Sequence, residues 1–354
     1  MSSSHLTWFQ PQASPQALAQ QGSVLALGMF DGLHLGHQAV LKQALALAQP
    51  ALPTEAIPHV GVVTFATHPK AFFDPSPSSP YLHLLTPPPE KQAWLAHLGL
   101  GFCWMPPFNA TLATQTAQQF EADTLAGLLH ARHVLTGQDF GYGQKRQGNV
   151  ATLSAAGQRL GWQHHPVQLL TSPLLPEPRA KIGSGSVRQA LGNKQFTLVT
   201  QLLGRPYSWQ GVVQAGQGLA GSVLGLPTAN VAVAADKLMP PYGVTLGWAE
   251  VSLPQEGMPL RRPALCNWGV KPTLANPSPS PLAEVHLLHA PEGMKQGTLV
   301  GQPLRYWAMA DLRPEHRFAN LEALKHQCQQ DVAQAQAWAA ITPEPLWEKL
   351  PLWL

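Results

Sequence analysis

The chain has 354 residues, of which 45% are apolar and 12% charged, and its net charge is +3. That length predicts two domains with real cores, and the low charge, offset by Gln, Ala and 35 prolines, does not mean disorder because apolar residues run throughout. Scattered basic residues speak against a nucleic-acid partner. Three cysteines without a CxxC pair speak against disulfides or structural zinc. The sequence has no leader-like segment and no apolar run of bilayer length, so a cytoplasmic protein free of membranes is expected.

The first half alternates strand-like and helix-like runs. Val24–Phe30 reads as a strand that stops at Asp31-Gly32, and Gln38–Gln49 as an Ala- and Leu-rich helix. Gly61–Phe65 reads as a buried strand, Glu90–Leu98 as a helix and Phe102–Met105 as a strand. Phe120–Ala131 then reads as a helix, His133–Gly137 as a strand and Ser186–Leu191 as a short helix. This alternation predicts a parallel sheet covered by helices, with catalytic loops at the carboxyl ends of the strands. After about Leu203 the pattern changes to β-like runs separated by Gly and Pro: Gln210–Gln214, Val244–Val251, Ala264–Trp268, Ala283–His289 and Leu304–Met309. These predict an antiparallel barrel or sandwich, closed by a helix over Phe318–Ala339. Pro75–Pro80 and Asn276–Pro281 read as loops. The domains are expected over 1–192 and 207–340, with a linker at 193–206 and a tail at 341–354.

The densest chemistry lies in Gly28–His37, GMFDGLHLGH. A buried strand ends at Phe30, Asp31-Gly32 turns the chain, and a helix starts near His37. Amides at such a helix start are available to phosphate oxygens. Gly28, Gly32 and Gly36 let the backbone approach a triphosphate closely. His34 and His37, three residues apart, face the same way on a first helical turn. Two imidazoles over an α-phosphate suit nucleotide transfer from ATP, which positioning and electrostatics can carry without a covalent intermediate. Neither a GxGxxG nor a GxxxxGK[ST] pattern is present, which disfavours a nicotinamide cofactor and a Walker-type site.

With its neighbours, this segment resembles the bifunctional riboflavin kinase/FMN adenylyltransferase family, the prokaryotic FAD synthetases, over roughly residues 20–335. GMFDGLHLGH resembles the family's GxFDGxHxGH, and Thr64–Phe73 its TFxPHPxxFF segment. Thr86…Glu90-Lys91 resembles a Thr…Glu-Lys segment, and Gly137–Gly148 the GxDFxFGxxRxG loop. Lys181–Arg188, KIGSGSVR, falls where the family has ISSTxIR, with Gly183 and Gly185 replacing a Ser and a Thr. In the second half Gly225–Asn230, GLPTAN, resembles GxPTAN, Asn267–Thr273 resembles NxGxRPT with Lys271 for Arg, and Ala283–Leu287 resembles xEVHx.

The resemblance implies a Rossmann-like nucleotidyltransferase domain followed by an antiparallel β-barrel riboflavin kinase domain with a closing C-terminal helix. It implies ATP as substrate, Mg²⁺ as cofactor, and riboflavin, FMN and FAD as substrates or products. His34, His37 and Glu284 take the catalytic roles. Gly28, Phe30, Asp31, Gly36, Asp139, Arg146, Ser184, Arg188, Gly221, Gly225 and Pro227 are expected at nucleotide, and His68, Arg313 and Phe318 at flavin. Thr228 and Asn230 are expected to hold Mg²⁺, which takes hard oxygen ligands. Small molecules are the expected partners, and nothing points to a partner protein. Gly221-Ser222 stands for the family's GR pair, Thr245 for the Tyr of GVY and Val300 for the Tyr of LYG. The hydroxyls missing at Gly183 and Gly185 mark where adenylyl transfer would be weakened. Two other readings are weighed against this one. One has a single activity retained. The other is a class I aminoacyl-tRNA synthetase-like nucleotidyltransferase, since HLGH and KIGSGS resemble HIGH and KMSKS.

Overall fold

The computed structural model describes residues 6–9, 14–49, 59–176, 180–215, 228–252, 259–270, 281–289, 298–346 and 350. The chain divides into two compact units between Ser184 and Gly185.

The first unit is built on a six-stranded sheet ordered β1-β4-β3-β2-β5-β8. Its strands are β1 (Leu6–Trp8), β2 (Ser23–Leu27), β3 (His59–Val63), β4 (Phe102–Trp104), β5 (Ala131–Gly137) and β8 (Gln163–Val167). Five of them are parallel, as expected, and β1 pairs antiparallel with β4. All five residues of β2 are buried, as a central strand flanked on both sides requires. From β2 the chain builds β3 and β4 on one side, then returns to build β5 and β8 on the other. The carboxyl end of β2 is therefore a topological switch point, where open α/β sheets form their ligand crevice.

Its helices are α1 (Pro15–Gln21), α2 (Leu35–Leu47), α3 (Pro69–Phe73), α4 (Pro88–His97), α5 (Ala110–Thr114), α6 (Ala117–Gln119) and α7 (Val150–Leu160). A short hairpin, β6 (Gly141–Tyr142) with β7 (Gly148–Asn149), precedes α7. The expected helix Phe120–Ala131 is a π-helical run over Phe120–Leu128 that continues α6. It stops short because His130 adopts a left-handed backbone (φ 48°) and Ala131 already belongs to β5. Pro75–Pro80 lies outside helices and strands, as expected, whereas only Pro281 of Asn276–Pro281 is among the described residues.

Helix α8 (Ser184–Gly192) crosses the division at its first residue, and α9 (Phe196–Leu203) follows in the second unit. Phe196, Val199, Leu202 and Leu203 are buried, so most of the expected linker is an amphipathic helix. Then come β9 (Tyr207–Gln214), β10 (Ala229–Val233), β11 (Gly243–Val251), β12 (Leu260–Gly269), β13 (Leu282–Leu287), β14 (Pro303–Pro314) and α10 (Leu321–Ile341). The six strands close into a barrel, β10-β13-β12-β11-β14-β9, with every pair antiparallel. Closure removes the exposed edges that a sandwich would leave. Trp209 and Tyr306 fill the interior with rings 5.0 Å apart, and the Thr245 hydroxyl donates to the Tyr306 oxygen at 3.2 Å. Val244, Leu246 and Leu265 alternate to the other face, where Ala335 of α10 packs on them with Val332 and Trp338.

A second attachment holds α10 to the barrel. Arg313 at the end of β14 grips Asp331 through Nε (3.0 Å to each carboxylate oxygen) and Nη2 (2.7 Å). The Asp331 side chain is only 5% exposed. Removing one partner of a buried pair strands the other charge, at about 3–5 kcal/mol. Arg313→Leu is therefore expected to lower the unfolding free energy of the barrel by about 3 kcal/mol in urea titrations. A loss below about 1 kcal/mol would show that the pair is not a structural clasp.

Candidate functional site

Two groups of side chains stand out, one in each unit. In the first unit, the turn that leaves β2 is held in an unusual backbone. Phe30 (φ 49°), Gly32 (φ 85°) and Leu33 (φ 44°) all have positive φ. For the two non-glycine residues this stores about 1–3 kcal/mol each, so the surroundings must impose it. The surroundings are polar and buried. The Asp31 carboxylate, 1% exposed, accepts the Thr86 amide at 3.1 Å, and the Gly32 amide donates to the Thr86 hydroxyl at 2.9 Å. The Ser184 hydroxyl donates to the Asp31 carbonyl at 2.7 Å.

The turn delivers two histidines. His34 is the N-cap of α2, and its Nδ1 accepts the His37 amide at 3.3 Å. The two imidazoles stack 3.7 Å apart at 20°, with the Phe30 ring 5.0 Å from His37. A Cβ at Gly36 would meet the His34 ring at 3.1 Å and the Ile182 carbonyl at 3.2 Å, so any larger residue would require one of them to give way. The His37 Nδ1 is buried and has no hydrogen-bond partner. Burial above all, then His34, Lys91 and Lys181, holds the His37 pKa well below 6.5, so the imidazole is neutral at pH 7. A strained turn, a capped helix start and an unpartnered ring nitrogen together make a preformed seat for an anionic group.

Around this turn the other expected residues fall into two sets. Asp139 is ion-paired with Lys181, and Arg146 reaches the Asp139 carbonyl at 3.5 Å, which ties the Gly137–Gly148 loop to the segment before α8. Among the described residues, a Cβ at Gly183 would meet only Lys181 Cε, at 3.9 Å, and one at Gly185 nothing within 4 Å. His68 caps α3, accepting the Lys70 amide at 3.1 Å, and its ring lies 4.6 Å from Tyr81. Beside it Phe65, Phe72, Phe73 and Phe108 meet edge to face at 5.2–5.9 Å, with Phe73 67% exposed.

In the second unit, strand register lines up a polar row. Asn230 on β10 stands opposite Gln214 on β9 and Glu284 on β13, and Glu284 stands opposite Asn267 on β12. Directly opposed residues share a face, so Gln214, Asn230, Glu284 and Asn267 all project from one side of the barrel wall. It is the side on which Val244, the next residue in the row, packs toward α10. Ala283 and Val285 are buried on the other side, as alternation about Glu284 predicts. The Asn230 Oδ1 is buried and has no hydrogen-bond partner. Left unmet, such an oxygen costs about 1–3 kcal/mol, and a hard cation is one natural claimant. Arg313 is taken up by Asp331, with the Phe318 ring 5.7 Å from its guanidinium.

Comparison with known proteins agrees with both units. A family profile described as FAD synthetase matches residues 16–173, and one described as riboflavin kinase matches 203–339. A bifunctional riboflavin kinase/FMN adenylyltransferase of Pseudomonas fluorescens is 35% identical over 90% of this chain and 94% of its own length. The chain belongs to the bifunctional riboflavin kinase/FMN adenylyltransferase family. The enzyme of that name from Bacillus subtilis is 32% identical over 89% of this chain and 92% of its own. A solved structure described as a macrolide-efflux protein from Streptococcus pneumoniae shares the fold, with a TM-score of 0.71, 23% identity, and coverage of 89% of this chain and 94% of that one.

Of the residues expected from the family motifs, Gly28, Phe30, Asp31, His34, Gly36, His37 and Ser184 come together at the β2 turn. Asn230 and Glu284 meet across β10 and β13, with Thr228 just ahead of β10. Arg188 sits on α8 in the second unit. Gly221, Ser222, Gly225, Pro227 and Lys271 lie outside the described residues. The family motifs gave no role to Thr64, Thr86 or Lys91, although all three stand in quoted motifs. No helix among the described residues is long and apolar enough to cross a membrane.

The first unit has an acid-sensitive pattern. His37, His59, His133, His164 and His165 are all held below 6.5, with burial the leading cause each time, and His164 falls to about 4. Each binds a proton less readily folded than unfolded, so stability is lost as pH falls from about 6.5 toward these lowered values. The urea midpoint of this unit, read by hydrogen exchange of the β2 and β5 amides, is expected to drop between pH 7 and pH 5. A midpoint that holds or rises would contradict the burial argument.

Proposed function

We propose that the barrel unit phosphorylates riboflavin to FMN with ATP, and that the first unit adenylylates FMN to FAD with a second ATP, releasing pyrophosphate. The observation that supports this most is the pairing of site with unit. The histidine turn lies within the segment that matches FAD synthetase, and the Asn230–Glu284 row lies within the segment that matches riboflavin kinase.

In the first unit, the start of α2, His34 and the neutral His37 would receive the ATP phosphates, with Gly28, Phe30 and Asp31 shaping the turn. As the FMN phosphate oxygen bonds to the α-phosphorus and pyrophosphate leaves, imidazole N–H donors stabilise the developing charge. Ser184 is already fastened to the turn through the Asp31 carbonyl, and Asp139, Lys181 and Arg146 form the adjoining charged wall. The aromatic group of Phe65, Phe72, Phe73 and Phe108 beside His68 offers a flat apolar platform suited to the flavin ring system.

In the barrel, Glu284 accepts the proton of the ribityl 5′-hydroxyl as that oxygen bonds to the γ-phosphorus and ADP leaves. Mg²⁺ would be held by Thr228 and Asn230, whose unpartnered Oδ1 suits a hard cation, and would neutralise charge on the phosphates. Gly221, Gly225 and Pro227 belong to the same nucleotide-binding segment. Phe318 remains a candidate flavin contact, and Arg313 acts chiefly by fixing α10 through Asp331. The substrates are small molecules, and a cytoplasmic setting suits them.

The test follows flavins by chromatography after incubation with riboflavin, ATP and Mg²⁺. His37→Ala is expected to cut FAD formation by about 10²–10³ while sparing FMN formation. Glu284→Gln is expected to cut FMN formation by about 10²–10⁴ while sparing FAD formation from added FMN. Loss of both activities in either folded variant would contradict the assignment of one reaction to each site.

A further inference from the structure

We propose that Lys91 is a positioning residue for adenylyl transfer, its ammonium fastening the carbonyls that end β2 and β3 and so fixing the turn that carries His37. The proposal rests on the reading of that turn as the adenylyl-transfer site.

The geometry is specific. Lys91 belongs to α4 and is 0% exposed. An ammonium taken fully out of water must have each N–H satisfied or it is strongly destabilising. Its three donors reach the Met29 carbonyl at 2.9 Å, the Phe65 carbonyl at 3.0 Å and the Thr64 hydroxyl at 3.4 Å. The Thr64 hydroxyl in turn donates to the Met29 carbonyl at 2.8 Å. These acceptors sit where the ladder runs out. β2 and β3 pair through Leu27 and Val63, and the Gly28 amide still reaches the Val63 carbonyl. Beyond that point the Thr64 amide turns away to the Trp104 carbonyl of β4. The carbonyls of Met29 and Phe65 lie past the last paired residues of β2 and β3, and Lys91 donates to both. Met29 is the residue before Phe30, where the left-handed turn begins. Phe65 begins the segment that leads to His68.

Charge adds a second consequence. His37 faces His34 and Phe30 from its own turn, Lys91 from α4 and Lys181 from the segment before α8. Lys91 is one of the cations that hold His37 neutral, after burial and His34. Burial also brings the Lys91 pKa down to about 8, with Asp31 opposing. Above that pH the amine has two N–H groups for three acceptors.

The experiment compares Lys91→Met and Thr64→Val in the full chain. It measures FAD formation from FMN against pH, FMN formation from riboflavin, and His37 titration by NMR with ¹³C-labelled histidine. Lys91→Met is expected to lower kcat for FAD formation at least tenfold, to leave FMN formation within twofold, and to move the His37 titration to higher pH. A lysine that merely filled space would not move that titration. A folded Lys91→Met with unchanged FAD formation and unchanged His37 titration would overturn the proposal. If Lys91→Met does not fold, Thr64→Val decides. It keeps the charge, so FAD formation should slow severalfold with the His37 titration unmoved, and an unchanged rate would overturn the proposal. Absence of FAD from the unsubstituted chain would instead overturn the adenylyl-transfer reading, and this proposal with it.

Discussion

The first unit depends on one constraint: the chain leaving β2 must turn left-handed at Phe30, Gly32 and Leu33 and still start a helix at Leu35. An unsupported turn of that kind would relax. Here it is over-determined by buried polar groups drawn from distant stretches of sequence, with Asp31 bound to Thr86, Ser184 bound to the Asp31 carbonyl, and Lys91 bound to Met29. Each partner matters because an unpaired buried donor or acceptor costs about 1–3 kcal/mol, comparable to what each strained residue of the turn stores. The result is a stacked pair of histidines held in place before any ligand arrives. That is the arrangement in which electrostatic stabilisation of a developing charge needs little reorganisation.

The barrel solves its problem differently. Its candidate site residues are not on a strained turn but on a row fixed by strand register, Gln214–Asn230–Glu284–Asn267. A one-residue slip of any of these strands would send its member of the row to the interior, so closure of the six strands and the Arg313–Asp331 clasp on α10 also hold the row. The replacement of the family's Tyr by Thr245 falls on the interior face, where its hydroxyl is bonded to Tyr306, and so leaves the row untouched.

Much of this was legible in the sequence where periodicity is strong. The central strands β2, β3 and β5 and the long helix α10 stand out because apolar residues mark one or both faces. The elements that escaped have physical reasons. β8, QHHPV, is an edge strand whose polar residues pair sideways, His165 with His133 and His164 with Thr136, so it carries no hydrophobic signal. α9 lies in what reads as a linker because its boundary is set by packing on the barrel rather than by composition. His34 and His37 could be read as facing the same way from their spacing, but the depressed pKa of His37 comes from burial first, then His34, and then Lys91 and Lys181, which are far away in the chain. Glu284 and Asn230 were legible as motif residues, whereas the polar row needed the strand register.

The account makes the chain a two-site enzyme in which FMN is the product of one unit and the substrate of the other. The most direct test mixes two chains that each keep one activity. Equal amounts of the His37→Ala and Glu284→Gln chains are incubated with riboflavin, ATP and Mg²⁺, and the flavins are followed over time. The account predicts that FMN appears first, made by the His37→Ala chain, and is then converted to FAD by the Glu284→Gln chain. Failure of the mixture to form FAD, with each variant folded and competent in its own half-reaction, would contradict it.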